Sequence, residues 1–336
     1  MKRHLKILLL FLSFGLFAQR GDDVVVKKSL QLMGTDFEIS VVAPTQEIGY
    51  INIDEAVSEI KRIEAMISSW DENSETSKVN RNAGKQPVKV SRELFELVER
   101  AKKISEVTDG AFDISYASMD NIWAFDGTMR HMPIKTKIAA SIEKIGYQNI
   151  ILDAEEQTIF LAEKGMKIGF GAIGKGYAAD RAKELLISKK VRGGIVNASG
   201  DLTTWGTRET GEKWMVGITN PLKKDRIFSW LPVVESSVAT SGNYEKYIML
   251  DGKKYSHIID PRTGYPTRGV NSVSIFAKRA ELCDALATAV FIMGRDSGIH
   301  LINQLEGVEV VLIDGENKIH KSAGIRFDNN QAQQRK

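Results

Sequence analysis

Strand-like and helix-like segments succeed one another along this chain with no regular βαβ alternation, which favours an α+β fold over a doubly wound parallel sheet. Val24 to Leu32 and Asp36 to Val42 have the β-branched content of paired strands, with Gly34 between them. Ile53, Val57, Ile60, Ile63 and Ile67 then recur at helical spacing. Ser91 caps a second helix with apolar positions at Leu94, Leu97, Val98, Ala101 and Ile104, and ThrAspGly at 108–110 ends it. A third helix is expected from about Gly174 to Lys190. Beyond it come short strands with AspGly hairpin turns at 251 and 314, interrupted by one helix from about Ala280 to Met293.

Cys283 is the only cysteine, so no internal disulfide holds the fold and stability must come from the core. The roughly 318 residues after Ala18 are ample for that. Before them, Lys2, Arg3 and Lys6 precede an apolar run, Ile7 to Phe17, that ends in Ala18. A bilayer-spanning helix needs roughly 20 apolar residues, so 1–18 reads as a secretory signal peptide cleaved after Ala18. No cysteine near residue 18 offers a lipid attachment point, which makes the expected product a soluble periplasmic protein. One domain is expected over 19–328, with a frayed polar tail at 329–336. The chain has 46 basic and 43 acidic residues, and the three leader cations account for the difference. A neutral body exerts no general pull on nucleic acid or anionic membrane.

Residues 169–177 read GlyPheGlyAlaIleGlyLysGlyTyr. Gly169, Gly171 and Gly174 satisfy the GxGxxG spacing of a dinucleotide fold, but about 20 residues on, where an acidic residue should hold a ribose, stand Lys189 and Lys190. The stretch also nearly spells a phosphate loop, with Gly176 where a magnesium-binding Ser or Thr belongs. What survives is a backbone able to approach a ligand closely, followed by a helix that points its positive end at it. A tight turn with no ligand is the plainer alternative.

In the segment 280–294, Asp284 and Thr288 lie four apart, on one face of a helix otherwise made of Ala, Leu and Val. Burying a carboxylate and a hydroxyl unpaired is costly. A hard cation with oxygen ligands would satisfy both, and magnesium commonly takes one or two carboxylates plus substrate phosphates. Alternatively, Asp284 serves the helix dipole and Thr288 bonds back to the carbonyl of Asp284. Two further polar clusters occur, AsnAlaSerGlyAsp at 197–201 and HisIleIleAspProArgThrGly at 257–264. His257 and Asp260 cannot share a strand face, so the turn at Pro261 must aim them.

Taken in chain order, the pieces resemble the ApbE-type FAD:protein FMN transferases. The resemblance takes in MetGlyThr at 33–35, the 68–82 region, 108–114, the glycine stretch with Asp180, 197–201, ThrSerGly at 240–242, 257–264 and AspAlaLeuAlaThrAla at 284–289. It implies an α+β, T-fold-like core with FAD in a cleft between sheet and helices. It further implies that Asp284 and Thr288 hold magnesium together with main-chain oxygens of Ala172 and Ala287. Met33, Trp70, Ala111, Phe112, Asp113, Gly169, Lys175 and Ile258 would line the FAD site, and His257 would serve as general base. Gly169 stands where the family often has Asp, and Ser199 replaces a glycine. The implied partners are exported acceptor flavoproteins: domains of membrane electron-transfer systems or FMN-binding domains. Three other functions stay open on the sequence: an FAD pyrophosphatase with water as acceptor, a non-catalytic flavin carrier, and a nicotinamide oxidoreductase.

Overall fold

The computed structural model describes residues 23–219, 227–233, 235–243 and 246–325, so the leader at 1–18 and the tail at 329–336 lie outside the described residues. The first hairpin is the one the β-branched runs predict, β1 (Val24–Leu32) pairing antiparallel with β2 (Thr35–Ala43). Met33 and Gly34 turn it with φ of 50° and 72°, the left-handed pair of a two-residue type I′ turn. Helix α1 (Gln46–Ile67) follows and buries the predicted isoleucine stripe. Next come α2 (Glu75–Arg81), β3 (Val88–Lys89) and α3 (Arg92–Val107), which Ser91 caps by accepting from the N–H of Leu94. Helix α4 (Lys135–Ser141) leads to β4 (Ile150–Asp153) and β5 (Thr158–Leu161), and these two strands form a small sheet with β3.

The second half opens with α5 (Gly174–Ser188), β6 (Gly194–Ala198) and β7 (Asp201–Trp205), then the hairpin β8 (Trp214–Thr219) and β9 (Ile227–Val233). Strand β10 (Ser237–Gly242) precedes a second hairpin, β11 (Tyr247–Leu250) and β12 (Lys253–Ser256), which turns at Asp251 and Gly252 as predicted. The chain then runs through β13 (Val270–Ala277), α6 (Ala280–Met293), α7 (Arg295–Ile302), β14 (Glu309–Asp314) and β15 (Ile319–Lys321). One helix was expected in this last part, and there are two. Gly294, at φ 81°, ends α6 and lets α7 start at once in a new direction.

Eight strands form the main sheet in the order β1-β2-β6-β7-β10-β13-β14-β15, with every neighbouring pair antiparallel. This is the expected α+β arrangement and excludes the parallel sheet that a dinucleotide fold would need. Side chains alternate across the sheet. Val41 joins the core formed with α1 and α5, whereas Val42 packs with Leu202, Trp214 and Val238 on the opposite face. Helix α1 lies on β1 and β2, α5 on β6 and β7, and α6 on β10 and β13. The central strands β7 and β10 therefore run directly beneath the place where α5 meets α6.

Candidate functional site

Helices α5 and α6 approach at Gly176, where an added Cβ would stand 2.8 Å from the Glu281 nitrogen and closer still to the Ala280 carbonyl oxygen. No Ser or Thr fits there, which is the physical reason the near-match to a phosphate loop fails. Gly176→Ala is expected to force the helices apart and cost about 1–3 kcal/mol, read as a lowered melting temperature. Asp180 fixes the same junction from the next turn of α5. Its two carboxylate oxygens accept the N–H groups of Ala280 and Glu281, each at 3.0 Å, and so cap a helix whose own N-cap residue offers no side-chain bond. Burial pushes the Asp180 carboxyl up to about 6, against the pull of those two N–H groups and Arg279.

The close approach sets Asp284, on the second turn of α6, against the start of α5. The Gly176 N–H donates to Asp284 Oδ2 at 3.2 Å. Lys175 Nζ stands 2.7 Å from Asp201 Oδ2 and 3.5 Å from Asp284 Oδ2, and both carboxylates are buried. Burial opposes the Lys175 charge, but the two carboxylates outweigh it and hold the ammonium above the usual lysine range. Burial pushes the Asp201 carboxyl up, as does the charge of Asp284, while Lys175 draws it down. One turn further along α6, the Thr288 hydroxyl lies 3.4 Å from Ser241 Oγ at the end of β10. Thr288 is thus turned toward the sheet and makes no back-bond to the Asp284 carbonyl.

This set suits a hard cation. Its donors are oxygens, and Asp284 Oδ1 takes no hydrogen bond among the described residues. No group of three His, Cys, Asp or Glu among those residues could hold a metal. A cation here would therefore complete its shell with main-chain oxygens, water or ligand phosphate. Ala172 lies in the turn before α5, and Ala287 is buried inside α6 between Asp284 and Thr288.

The predicted flavin-side residues divide into two groups. Met33, in the first hairpin turn, has its Cε 3.8 Å from where a Cβ on Gly174 would be, so that turn reaches the start of α5. Gly169 donates its N–H to the Ile114 carbonyl at 2.9 Å, and a Cβ there would lie 3.0 Å from Ala117 and 3.9 Å from Ser69 Oγ. Three distant stretches, the Trp70 loop, 111–117 and the glycine stretch, therefore converge. Asn80 holds the last of these in place by bonding both the N–H and the carbonyl of Ile168, at 2.8 and 3.0 Å. Trp70 is 94% exposed, so its ring is open to a ligand and does not serve the core. The second group points inward: Ala111 and Phe112 are core residues. Asp113 spends its oxygens on the N–H and hydroxyl of Ser115 and on the N–H of Tyr147, at 2.6–2.8 Å. Burial pushes the Asp113 carboxyl up, and these bonds work against that. Asp113 nonetheless borders a cleft of about 260 Å³ that Gly110, Tyr147, Pro261 and Arg262 also line.

The 257–264 loop forms the far wall of that cleft. Arg262 takes both oxygens of Asp260, at 2.9 Å each, so the turn at Pro261 is closed by its own ion pair. His257 is half-buried, with its ring edge-on to Phe125 at 6.4 Å between centroids. Its Nδ1 lies 3.1 Å from the Lys246 carbonyl, which only accepts, so Nδ1 carries the proton and Nε2 is the basic nitrogen. Ile258, next in the chain, packs on the cluster that includes Leu286 and Ala287 of α6. The histidine loop is thus tied into the same apolar cluster that α6 helps to form.

Asp201, Ser241 and the capping role of Asp180 were not assigned from the sequence. The signal for Asp201 was its place at the end of the polar turn 197–201. Ser199 and Gly200 make that turn with φ of 55° and 101°, and Asn197 Oδ1 accepts the Gly200 N–H at 2.8 Å. Ser199 thus sits in a backbone region that suits glycine, at a cost of roughly 1–2 kcal/mol.

The ApbE family profile matches residues 33–312. A Klebsiella pneumoniae FAD:protein FMN transferase is 32% identical over 256 residues, covering 76% of this chain and 79% of the relative. A Treponema pallidum protein of the same name is 31% identical over 300 residues, covering 84% and 82%. The crystal structure of the ApbE protein from Thermotoga maritima superposes with a TM-score of 0.80 at 31% identity, covering 89% of this chain and 97% of that one. A family profile matched across 33–312, and relatives above 30% identical that cover most of both chains, show that the chain belongs to the ApbE family.

Proposed function

We propose that this protein is an FAD:protein FMN transferase: the hydroxyl of a threonine or serine on an acceptor protein attacks the FMN phosphorus of FAD. The oxygen–phosphorus bond to FMN forms, the pyrophosphate bond breaks, and AMP departs. The observation that carries this reading is the junction of α5 and α6, where Lys175 and the Gly176 N–H of the glycine stretch meet Asp284, with Thr288 one turn further along α6.

Asp284 and Thr288, with main-chain oxygens of Ala172 and Ala287, would hold magnesium. Bound there, it would neutralise charge on the pyrophosphate oxygens and make AMP a better leaving group. Lys175 adds a fixed positive charge beside the amide-rich start of α5, where phosphate is favoured. Met33, Trp70, Gly169 and Ile258 would border the rest of FAD, with the exposed Trp70 ring stacking on the flavin. Ala111, Phe112 and Asp113 would contribute as a rigid wall, since their side chains are committed to the core and to Tyr147. A threonine hydroxyl is a poor nucleophile at neutral pH, and His257 Nε2 is the group to take its proton.

The leader at 1–18 directs the protein to the periplasm on this reading, and its acceptors are exported FMN-binding domains or periplasmic domains of membrane electron-transfer systems. Export is checked by intact mass of periplasmic material, expected to begin at Gln19; a full-length or lipid-bearing chain counts against it. The activity is checked by incubating purified protein with FAD, magnesium chloride and a candidate acceptor. The expected result is an acceptor heavier by FMN less one water, with AMP released in equal amount. Release of AMP with free FMN and an unmodified acceptor would instead mark a pyrophosphatase.

A further inference from the structure

Asp201 is the nearest carboxylate to Lys175, yet neither the fold nor the proposed chemistry has so far needed it. It opens β7 directly after the strained Ser199–Gly200 turn, and its carboxylate accepts the N–H of Thr240 on the neighbouring strand β10. The lysine lies between two buried acids, 2.7 Å from Asp201 and 3.5 Å from Asp284. We propose that Asp201 is a positioning residue that draws the Lys175 ammonium toward β7 and off Asp284, leaving Asp284 able to take a divalent cation. The proposal rests on Asp284 and Thr288 being a cation site.

A divalent ion on Asp284 and an ammonium on the same carboxylate repel each other strongly at such short range. Lys175 is held in the site by its place on the first turn of α5, so it needs a second anion if it is to stay charged while Asp284 is occupied. Asp201 supplies that anion from a rigid strand. Without it, Asp284 becomes the only carboxylate within reach of Lys175 among the described residues, and an incoming cation has to displace the lysine.

Titration of the purified full chain with manganese(II) alone, with free ion followed by electron paramagnetic resonance, tests this without turnover. Asp201→Asn is expected to weaken manganese binding about tenfold, and Asp201→Glu, which keeps the charge, to stay within about threefold of wild type. Lys175→Gln is expected to tighten binding, since it removes the competitor. The deciding variant combines Asp201→Asn with Lys175→Gln, and its affinity should return to within about threefold of wild type. A double variant as weak as Asp201→Asn alone would make Asp201 itself a ligand and overturn the positioning role. Wild-type binding by Asp201→Asn, or no tightening by Lys175→Gln, would overturn it too. Asp284→Ala separates the two levels: binding that survives this change removes the cation site and the proposal with it. Binding lost there, with no rescue in the double variant, removes only the role of Asp201.

Discussion

Asp284→Ala is expected to lower magnesium-dependent FMN transfer by about 1,000-fold or more, because a bound cation contributes several kcal/mol of charge stabilisation and each 1.4 kcal/mol is tenfold in rate. The fold should survive. Removing Asp284 leaves Lys175 paired one-to-one with Asp201 at 2.7 Å, so no buried charge is stranded, and α6 keeps its cap from Asp180. The Gly176 N–H loses its 3.2 Å acceptor, a single buried bond whose loss costs about 1–3 kcal/mol and should lower the melting temperature without unfolding the protein. Thr288→Ala should be milder, since a neutral hydroxyl contributes less to a cation than a carboxylate does. Initial rates of AMP release and acceptor labelling across a magnesium series, with melting curves as the folding control, measure both. Activity of the Asp284 variant near wild type would remove this residue from the site.

The elements read most directly from the sequence were those specified by local patterns. The isoleucine stripe of α1, the Ser91 cap of α3 and the AspGly turns are each set by residues within a few positions of one another. That Asp284 and Thr288 share a helix face was legible for the same reason, since a spacing of four fixes it whatever the rest of the chain does. Asp201 was not. It comes to Lys175 only because β7 lies beneath α5 in the sheet order, a relation across 26 positions of chain that no local spacing encodes. Trp70 shows the converse: only the resemblance put it at a ligand site, and its place on the loop after α1 leaves the ring exposed. The failed phosphate-loop match was informative because its failure has a steric cause. Gly176 is fixed by helix contact with Ala280, a constraint that leaves no room for the hydroxyl of a phosphate loop.

His257→Asn is expected to transfer FMN about 100-fold more slowly while FAD binding stays close to wild type. Asparagine keeps a polar group of similar reach and can still donate to the Lys246 carbonyl, as Nδ1 does at 3.1 Å, so the loop should hold its path. Asp260 and Arg262 close that loop through their own pair, and Ile258 packs into the apolar cluster between sheet and helices, neither of which depends on the imidazole. What asparagine cannot do is accept a proton near neutral pH, the property that distinguishes Nε2 from every other group on the loop. The loss should therefore fall on the transfer rate and not on the concentration of FAD needed for half-saturation. It should also shrink as pH rises, because a more basic medium takes over removal of the acceptor proton. Flavin-fluorescence titration gives the binding, and single-turnover labelling of the acceptor between pH 6 and pH 9 gives the rate. Equal loss of binding and rate, with no dependence on pH, would make His257 a contact to FAD and leave the hydroxyl to be activated by another group.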